Sequence, residues 1–243
     1  MQLFYSPNIT PNALCTLDAE ESRHAVRVLR LRQGEELHVT DGRGSLYHCR
    51  ILEADDRACV VESIDSEGPM AKADAARLHL AVAPTKNPSR MEWLVEKAVE
   101  VGVDELTLLN CDHSERTFLK TERLQKIALS AMKQSLHLWL PTINPAVSLR
   151  EWLHSPLPTP HSPLKLIAHC EADKPRTPLA DVLKPGADAI VLIGPEGDFS
   201  EEEITLALQL GFQPVSLGPS RLRTETAALY AVAAFNLIND STL

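Results

Sequence analysis

The sequence predicts an α/β protein in two parts, a small β-rich N-terminal unit followed by a larger unit on a largely parallel sheet. From Leu78 onward, short apolar runs alternate with helical patterns, which yields parallel strands covered by helices. Residues 1–70 instead show strand-like runs around a glycine turn. Between these parts, Ser66-Glu67-Gly68-Pro69 and the small and charged residues that follow to Ala76 read as a linker. The expected domains are therefore 1–70 and 74–243.

In the first part a short helix is expected over 20–30. Residues 36–39 and 46–51 flank Asp41-Gly42-Arg43-Gly44, a turn signal joining two strands, and 58–64 offers a third. In the second part the strand LHLAVAP precedes the helical pattern RMEWLVEKAVEVGV. The strand ELTLLN and a long helix over 121–137 come next. LKLIAHC (164–170), AIVLIG (189–194) and PVSLG (214–218) continue as buried strands, each entering a loop at its carboxyl end, where open α/β sheets bind ligands. The proline-rich SPLPTPHSP (155–163) is expected to be a surface loop. Trp93, Trp139 and Trp152 fall in helical apolar patterns and are expected in the core.

Composition narrows the function. With 243 residues and 44% hydrophobic content the chain can bury a proper core. A net charge of −9 repels polyanions as a whole, so nucleic acid must be met by a local basic patch. The five cysteines are scattered and form no C-x-x-C, which argues against a disulfide framework or thiolate zinc site and for a reducing cytoplasm. The nine histidines show no H-E-x-x-H, and no metal is expected. Neither a signal peptide nor an apolar run of about 20 residues is present, so no membrane span is expected.

The stretch IVLIGPEGDFSEEE (190–203) runs from a strand through a Gly-Pro-Glu-Gly turn into acids. Gly194 and Gly197 permit angles or close approach that a Cβ forbids, and Pro195 stiffens the turn. Ser200 with Glu203 three residues on forms a capping box, so a helix starts there. A helix start usually attracts phosphate, but Glu201, Glu202 and Glu203 already occupy that field. The G-x-G-x-x-G and G-K-[ST] spacings are also missing, which excludes NAD and ATP and favours a ligand without phosphate. An ordinary strand-to-helix turn remains the alternative. A second motif, LGPSRLRTETAALYAVAAFNLI (217–238), places a polar cluster before an alanine-rich helix that could pack on the sheet or on another subunit.

These two motifs, with SRMEWLVEKAVEVGV (89–103), HSERT (113–117), AMKQS (131–135) and HAVRVLRLRQGEEL (24–37), resemble the SPOUT-class methyltransferases that modify N3 of a uridine in 16S ribosomal RNA. The resemblance spans both parts of the chain. It implies S-adenosylmethionine as methyl donor, a PUA-like N-terminal β-barrel, a C-terminal SPOUT domain with a trefoil knot, and a homodimer acting on the small ribosomal subunit. A sulfonium cation without phosphate is compatible with the acidic loop. Asp198 stands where the family more often has a third small residue, and Ser220-Arg221 where Arg-Ile is commoner.

On this reading the donor is held at Ala168, His169 and Cys170; at Gly194, Pro195, Glu196 and Gly197; and at Leu217, Gly218, Leu222, Arg223, Thr224 and Thr226. Arg223 is expected to stabilise negative charge on the uracil. Glu196 or Glu225 is expected to take the N3 proton, the alternative being that each caps backbone amides. RNA contacts are expected from Arg23, Arg27 and Arg30, at i, i+4 and i+7 on one helical face, with His24 beside them. Lys86, Arg90 and Arg116 are further candidates, and a solvated surface is the alternative for the arginine face. A ribose 2′-O methyltransferase and a non-catalytic RNA-binding module on the same fold are the rival readings.

Overall fold

The computed structural model describes residues 2–68, 76–155, 163–171 and 175–240. The expected linker beyond Gly68 and the interior of the expected loop at 155–163 lie outside the described residues. The chain divides into two compact units, Met1–Ala73 with Leu129–Leu140, and Asp74–Ala128 with Pro141–Leu243.

The first unit contains β1 (Leu3–Tyr5), β2 (Leu14–Thr16), α1 (Ala19–Arg23), a π-helical turn (His24–Val28), β3 (Glu36–Thr40), β4 (Leu46–Glu53) and β5 (Val60–Glu67). Its five-stranded sheet has the order β1-β3-β4-β5-β2. The β1–β3 pair is parallel and the other pairs are antiparallel. Alternation along β4 turns Tyr47, Cys49 and Ile51 inward, where they meet Phe4, Leu37, Val39, Cys59 and Val61. Burial pushes the Cys49 thiol up to about 12, so it is an inert core residue. All five cysteines are free. The three-residue strands β1 and β2 are too short to show a period in sequence.

The expected helix over 20–30 is corrected. Asp18 caps α1 by accepting from the amides of Glu20 and Glu21, but regular winding stops at Arg23. The π turn closes with the Leu29 amide on the His24 carbonyl, and Arg30 then takes a left-handed φ of 59°. A π turn carries more residues per revolution than an α-helix, so Arg23, Arg27 and Arg30 do not form the 3.6-residue face expected of them.

Leu129–Leu140 is held inside this first unit. Glu21, only 3% exposed, pairs with Lys133, and the Gly44 amide donates to the Leu138 carbonyl at 2.9 Å. A Cβ on Gly44 would lie 2.5 Å from the Trp139 ring, so the turn admits glycine alone. Trp139 thus sits in an extended segment and not in a helix, a correction to its expected setting.

The second unit contains β6 (Leu78–Val82), α2 (Pro88–Val101), β7 (Glu105–Asn110), α3 (Thr121–Gln134), β8 (Thr142–Ser148), α4 (Leu149–His154), β9 (Leu164–Ala168), β10 (Thr177–Pro178), α5 (Leu179–Val182), β11 (Ala189–Ile193), α6 (Glu201–Gln209), β12 (Gln213–Ser216) and α7 (Thr224–Asp240). The last residues of α3 count with the first unit. The seven-stranded sheet has the order β10-β12-β9-β11-β6-β7-β8. Every pairing in it is parallel. Both β6 and β11 are buried along their whole length, as strands covered on two faces must be.

Helix α2 follows from local chemistry. Asn87 caps it, Pro88 occupies the first turn, and Gly102 ends it at φ 114°. Met91, Leu94, Val95, Ala98 and Val99 form its buried stripe, while Trp93 faces outward at 43% exposure, contrary to its expected place in the core. Trp152 on α4 is buried as expected. Among the described residues no helix is long and apolar enough to cross a membrane.

Candidate active site

Strand register decides where the loops meet. Ile193 pairs with Val82 on one side and Ala168 on the other, and Ala168 pairs with Val215. The segments leaving β6, β9, β11 and β12 therefore emerge at one level of the sheet, at its carboxyl end.

The Gly-Pro-Glu-Gly turn leaves β11. A Cβ on Gly194 would lie 3.1 Å from the Phe199 ring, and one on Gly197 would lie 3.1 Å from the His113 Cβ. Both glycines therefore allow a close approach that a Cβ would crowd, and the left-handed conformation falls instead on Asp198, at φ 66°. The capping box forms as expected. The Glu203 amide donates to Ser200 Oγ at 3.2 Å, and the Ser200 amide donates to Glu203 Oε2 at 2.9 Å. Glu203 is 1% exposed, and its Oε1 accepts from the Asp112 amide at 2.9 Å. Of the three glutamates, only Glu201 and Glu202 face solvent.

The loop after β7 is tied to this turn. Asp112 Oδ2 accepts from Ser200 Oγ at 2.7 Å and from Arg150 Nη2 at 2.8 Å. The Ser200 hydroxyl and then the Arg150 guanidinium hold the Asp112 carboxyl below its usual range. Because the folded pKa is depressed, this contribution to stability is present above the unfolded value and lost as pH falls through the lower folded value. Asp112→Asn should therefore flatten the acid limb of the stability curve below about pH 4, near the free aspartate pKa, as checked by urea unfolding across pH.

The candidate side chains lie around these exits. The Lys86 amide donates to Glu196 Oε1 at 2.9 Å, its ammonium pairs with Glu115 at 2.7 Å, and Arg116 Nε donates to the Lys86 carbonyl at 3.0 Å. Glu225 is buried at 7% exposure. Its Oε1 lies 3.5 Å from Arg90 Nη1, and its buried Oε2 has no hydrogen-bond partner. Thr224 Oγ1 donates to the Gly194 carbonyl at 3.1 Å and so joins the start of α7 to the β11 exit. Arg223 and Thr226 are exposed, and Leu222 is half-buried.

The structure thus brings Lys86, Arg90, Arg116, Glu196, Thr224 and Glu225 around the in-register exits. The other predicted RNA residues belong to the first unit. Arg27 pairs there with Asp56, and His24 Nε2 approaches the Gln2 amide at 3.2 Å. Arg23 is exposed. Ala168 ends β9 and His169 and Cys170 follow it, and Leu217 and Gly218 follow β12. Gly218 has φ 105°, and no atom lies within 4 Å of where its Cβ would be, which leaves open space over the backbone. Sequence reasoning missed Asp112 and Glu203 as loop connectors, although the DHSERT run directly after a strand marked the first of them.

Comparison with known proteins agrees with this layout. A family profile described as an RNA methyltransferase domain matches residues 72–236, and one described as an RNA methyltransferase PUA domain matches 17–62. Ribosomal RNA small subunit methyltransferase E of Synechocystis sp. is 30% identical over 99% of this chain and 78% of that protein. The chain belongs to the ribosomal RNA small subunit methyltransferase E family. Two solved structures share its fold. A probable rRNA-methyltransferase from Porphyromonas gingivalis has TM-score 0.89 and 42% identity over 100% of both chains. A ribosomal RNA small subunit methyltransferase E from Neisseria gonorrhoeae, bound to S-adenosyl methionine, has TM-score 0.78 and 29% identity over 98% of both chains. Small subunit methyltransferase E architecture is therefore the frame for the loops described above: a PUA domain and a methyltransferase domain with a parallel sheet.

Proposed function

We propose that this protein methylates N3 of a uridine in 16S ribosomal RNA of the small subunit, with S-adenosylmethionine as donor. The observation that carries the reading is the convergence of the acidic turn after β11 with Arg90, Glu225 and Thr224 at the in-register strand exits. The residues present fit the donor. The space over Gly218 leaves backbone accessible, and the carboxylates of Glu196 and Glu225 suit a cation where a phosphate would be repelled. Residues 168–170, 194–197, 217–218, 222–224 and 226 would hold it, and when bound it supplies an electrophilic methyl group on a sulfonium.

The chain's own residues then provide orientation and charge. Fixed loops convert an encounter of two molecules into an effectively intramolecular one. The exposed Arg223 guanidinium stabilises the charge that develops on the uracil oxygens when N3 loses its proton. Glu225 is favoured over Glu196 as proton acceptor, because Glu225 Oε2 is a spare buried acceptor whereas Glu196 Oε1 is occupied by the Lys86 amide.

The division at 1–70 and 74–243 assigns RNA grip to the first part and methyl transfer to the second. Charge reversal by Arg23→Glu should weaken RNA affinity and lower its log–log salt slope by about one. An unchanged slope in a filter-binding titration would mean a merely solvated arginine.

The protein is further proposed to be a cytoplasmic homodimer, with the trefoil knot that its family resemblance implies. Helix α7 carries no charged residue from Ala227 to Asn239, and Thr226, Tyr230, Ala233 and Leu237 repeat along its exposed side. Tyr230 is 47% and Leu237 72% exposed, an apolar stripe suited to a second copy. Leu237→Asp should shift the mass measured by light scattering from dimer toward monomer.

Incubation with small subunits and labelled donor, followed by mass spectrometry of the nucleosides, tests the reaction. 3-Methyluridine supports the proposal, whereas a ribose-methylated nucleoside supports the 2′-O alternative. No incorporation and no donor binding by calorimetry would leave a non-catalytic RNA-binding module.

A further inference from the structure

We propose that Asp198 is a positioning residue which, with Arg176, clamps the peptide between His169 and Cys170 and so sets the geometry of two loops assigned to the methyl donor; the inference rests on that assignment. Four observations converge on it. Asp198 holds a left-handed φ of 66°, a conformation uncommon for a residue with a Cβ, which persists where the surroundings demand it. Its Oδ2 accepts from the Cys170 amide at 2.7 Å, across 28 residues of sequence, and its Oδ1 accepts from the Phe199 amide at 2.9 Å. At the other polar end of the same peptide group, Arg176 Nη1 donates to the His169 carbonyl at 2.6 Å. Finally, His113 Nδ1 lies 3.1 Å from the Asp198 carbonyl, which links the segment after β7 to the same point.

One peptide plane is thus gripped by a carboxylate on its N–H and a guanidinium on its C=O. Hydrogen bonds with one ionised partner are short and strong, and two acting on a single rigid plane fix its rotation as well as its place. The left-handed turn aims the carboxylate from the β11 exit to the β9 exit. It follows that the Cys170 N–H is consumed by Asp198 and does not serve the donor. The loop offers the donor its remaining backbone groups, at a spacing from Gly194 and Gly197 that Asp198 sets.

Three variants separate this role from a turn preference. Asp198→Gly accepts the left-handed angle without strain but lacks the carboxylate, Asp198→Ala lacks both, and Asp198→Asn keeps an acceptor oxygen and tolerates the angle. In ligand-free protein, hydrogen exchange at the Cys170 amide should quicken about tenfold or more in the Gly and Ala variants, the value of one charge-assisted hydrogen bond, and clearly less in the Asn variant, which keeps one neutral acceptor oxygen. With donor and small subunits, the KM for S-adenosylmethionine should rise about tenfold in the Gly and Ala variants, with a much smaller change in kcat. The Asn variant should recover part of that loss, and the Gly variant should melt no lower than the Ala variant.

Unchanged Cys170 exchange in the Gly and Ala variants overturns the clamp, as does faster exchange with an unchanged KM. An Asn variant whose Cys170 amide exchanges as fast as in Ala also overturns it, since its remaining acceptor oxygen would then not engage that amide. Failure of the wild-type protein to bind S-adenosylmethionine defeats the functional reading instead, and the exchange measurement still decides the clamp.

Discussion

Arg223→Ala is expected to lower the methyl-transfer rate about a hundred- to a thousandfold, the usual cost of removing one preorganised donor from a developing anion. The uridine N3 carries a proton at neutral pH, so transfer needs an anionic ring or one becoming anionic as the proton leaves. On the proposed reading, the Arg223 guanidinium at the head of α7 would meet that charge on the uracil oxygens. Arg223 is exposed, and its backbone carbonyl accepts from the Ala227 amide at 2.8 Å, so truncating the side chain leaves the helix start in place. Thr224 Oγ1 would still bond the Gly194 carbonyl. Donor affinity by calorimetry should therefore hold while single-turnover transfer collapses. Equal loss of both would make Arg223 a donor-loop residue and discard its role toward the base. Arg223→Lys should recover only part of the rate, because an ammonium lacks the planar fork of a guanidinium.

Glu203→Ala is expected to cost about 2–4 kcal/mol of folding stability and to lower methylation with it. The Glu203 carboxylate is 1% exposed and accepts from two amides, Asp112 through Oε1 and Ser200 through Oε2. Removing it strands both donors, each worth about 1–3 kcal/mol when left unpaired, and removes half of the capping box. It also frees the Asp112 segment from the turn after β11. Glu203→Gln keeps one acceptor oxygen and should lose about half as much. Urea unfolding with an unchanged m-value checks the comparison. A Glu203→Ala protein as stable as wild type would show that water replaces the carboxylate at both amides.

The parts of the site legible in sequence were those written in local chemistry. The capping box at Ser200 and Glu203 depends on a spacing of three residues, and the structure contains it. The apolar run of β11 and the stripe of α2 depend on period alone, and both elements formed. Strands β1 and β2 have three residues each, and β8 carries Pro145 within its run, so none of them shows a readable pattern. The arginine face expected from a 3.6-residue period did not form, because the chain winds as a π turn from His24 to Val28, with Ala25 buried in the core.

The sequence by itself determined the alternation of the longer strands and helices beyond Leu78, the capped acidic turn after β11, and the family to which its motifs belong. Tertiary structure alone decided which distant amides the carboxylates serve. Glu196 caps the Lys86 amide 110 residues away, Glu203 holds Asp112 from 91 residues away, and Asp198 reaches Cys170. Propensity and capping act over a few neighbouring residues, whereas a buried acceptor is matched to whichever amide the sheet register brings beside it.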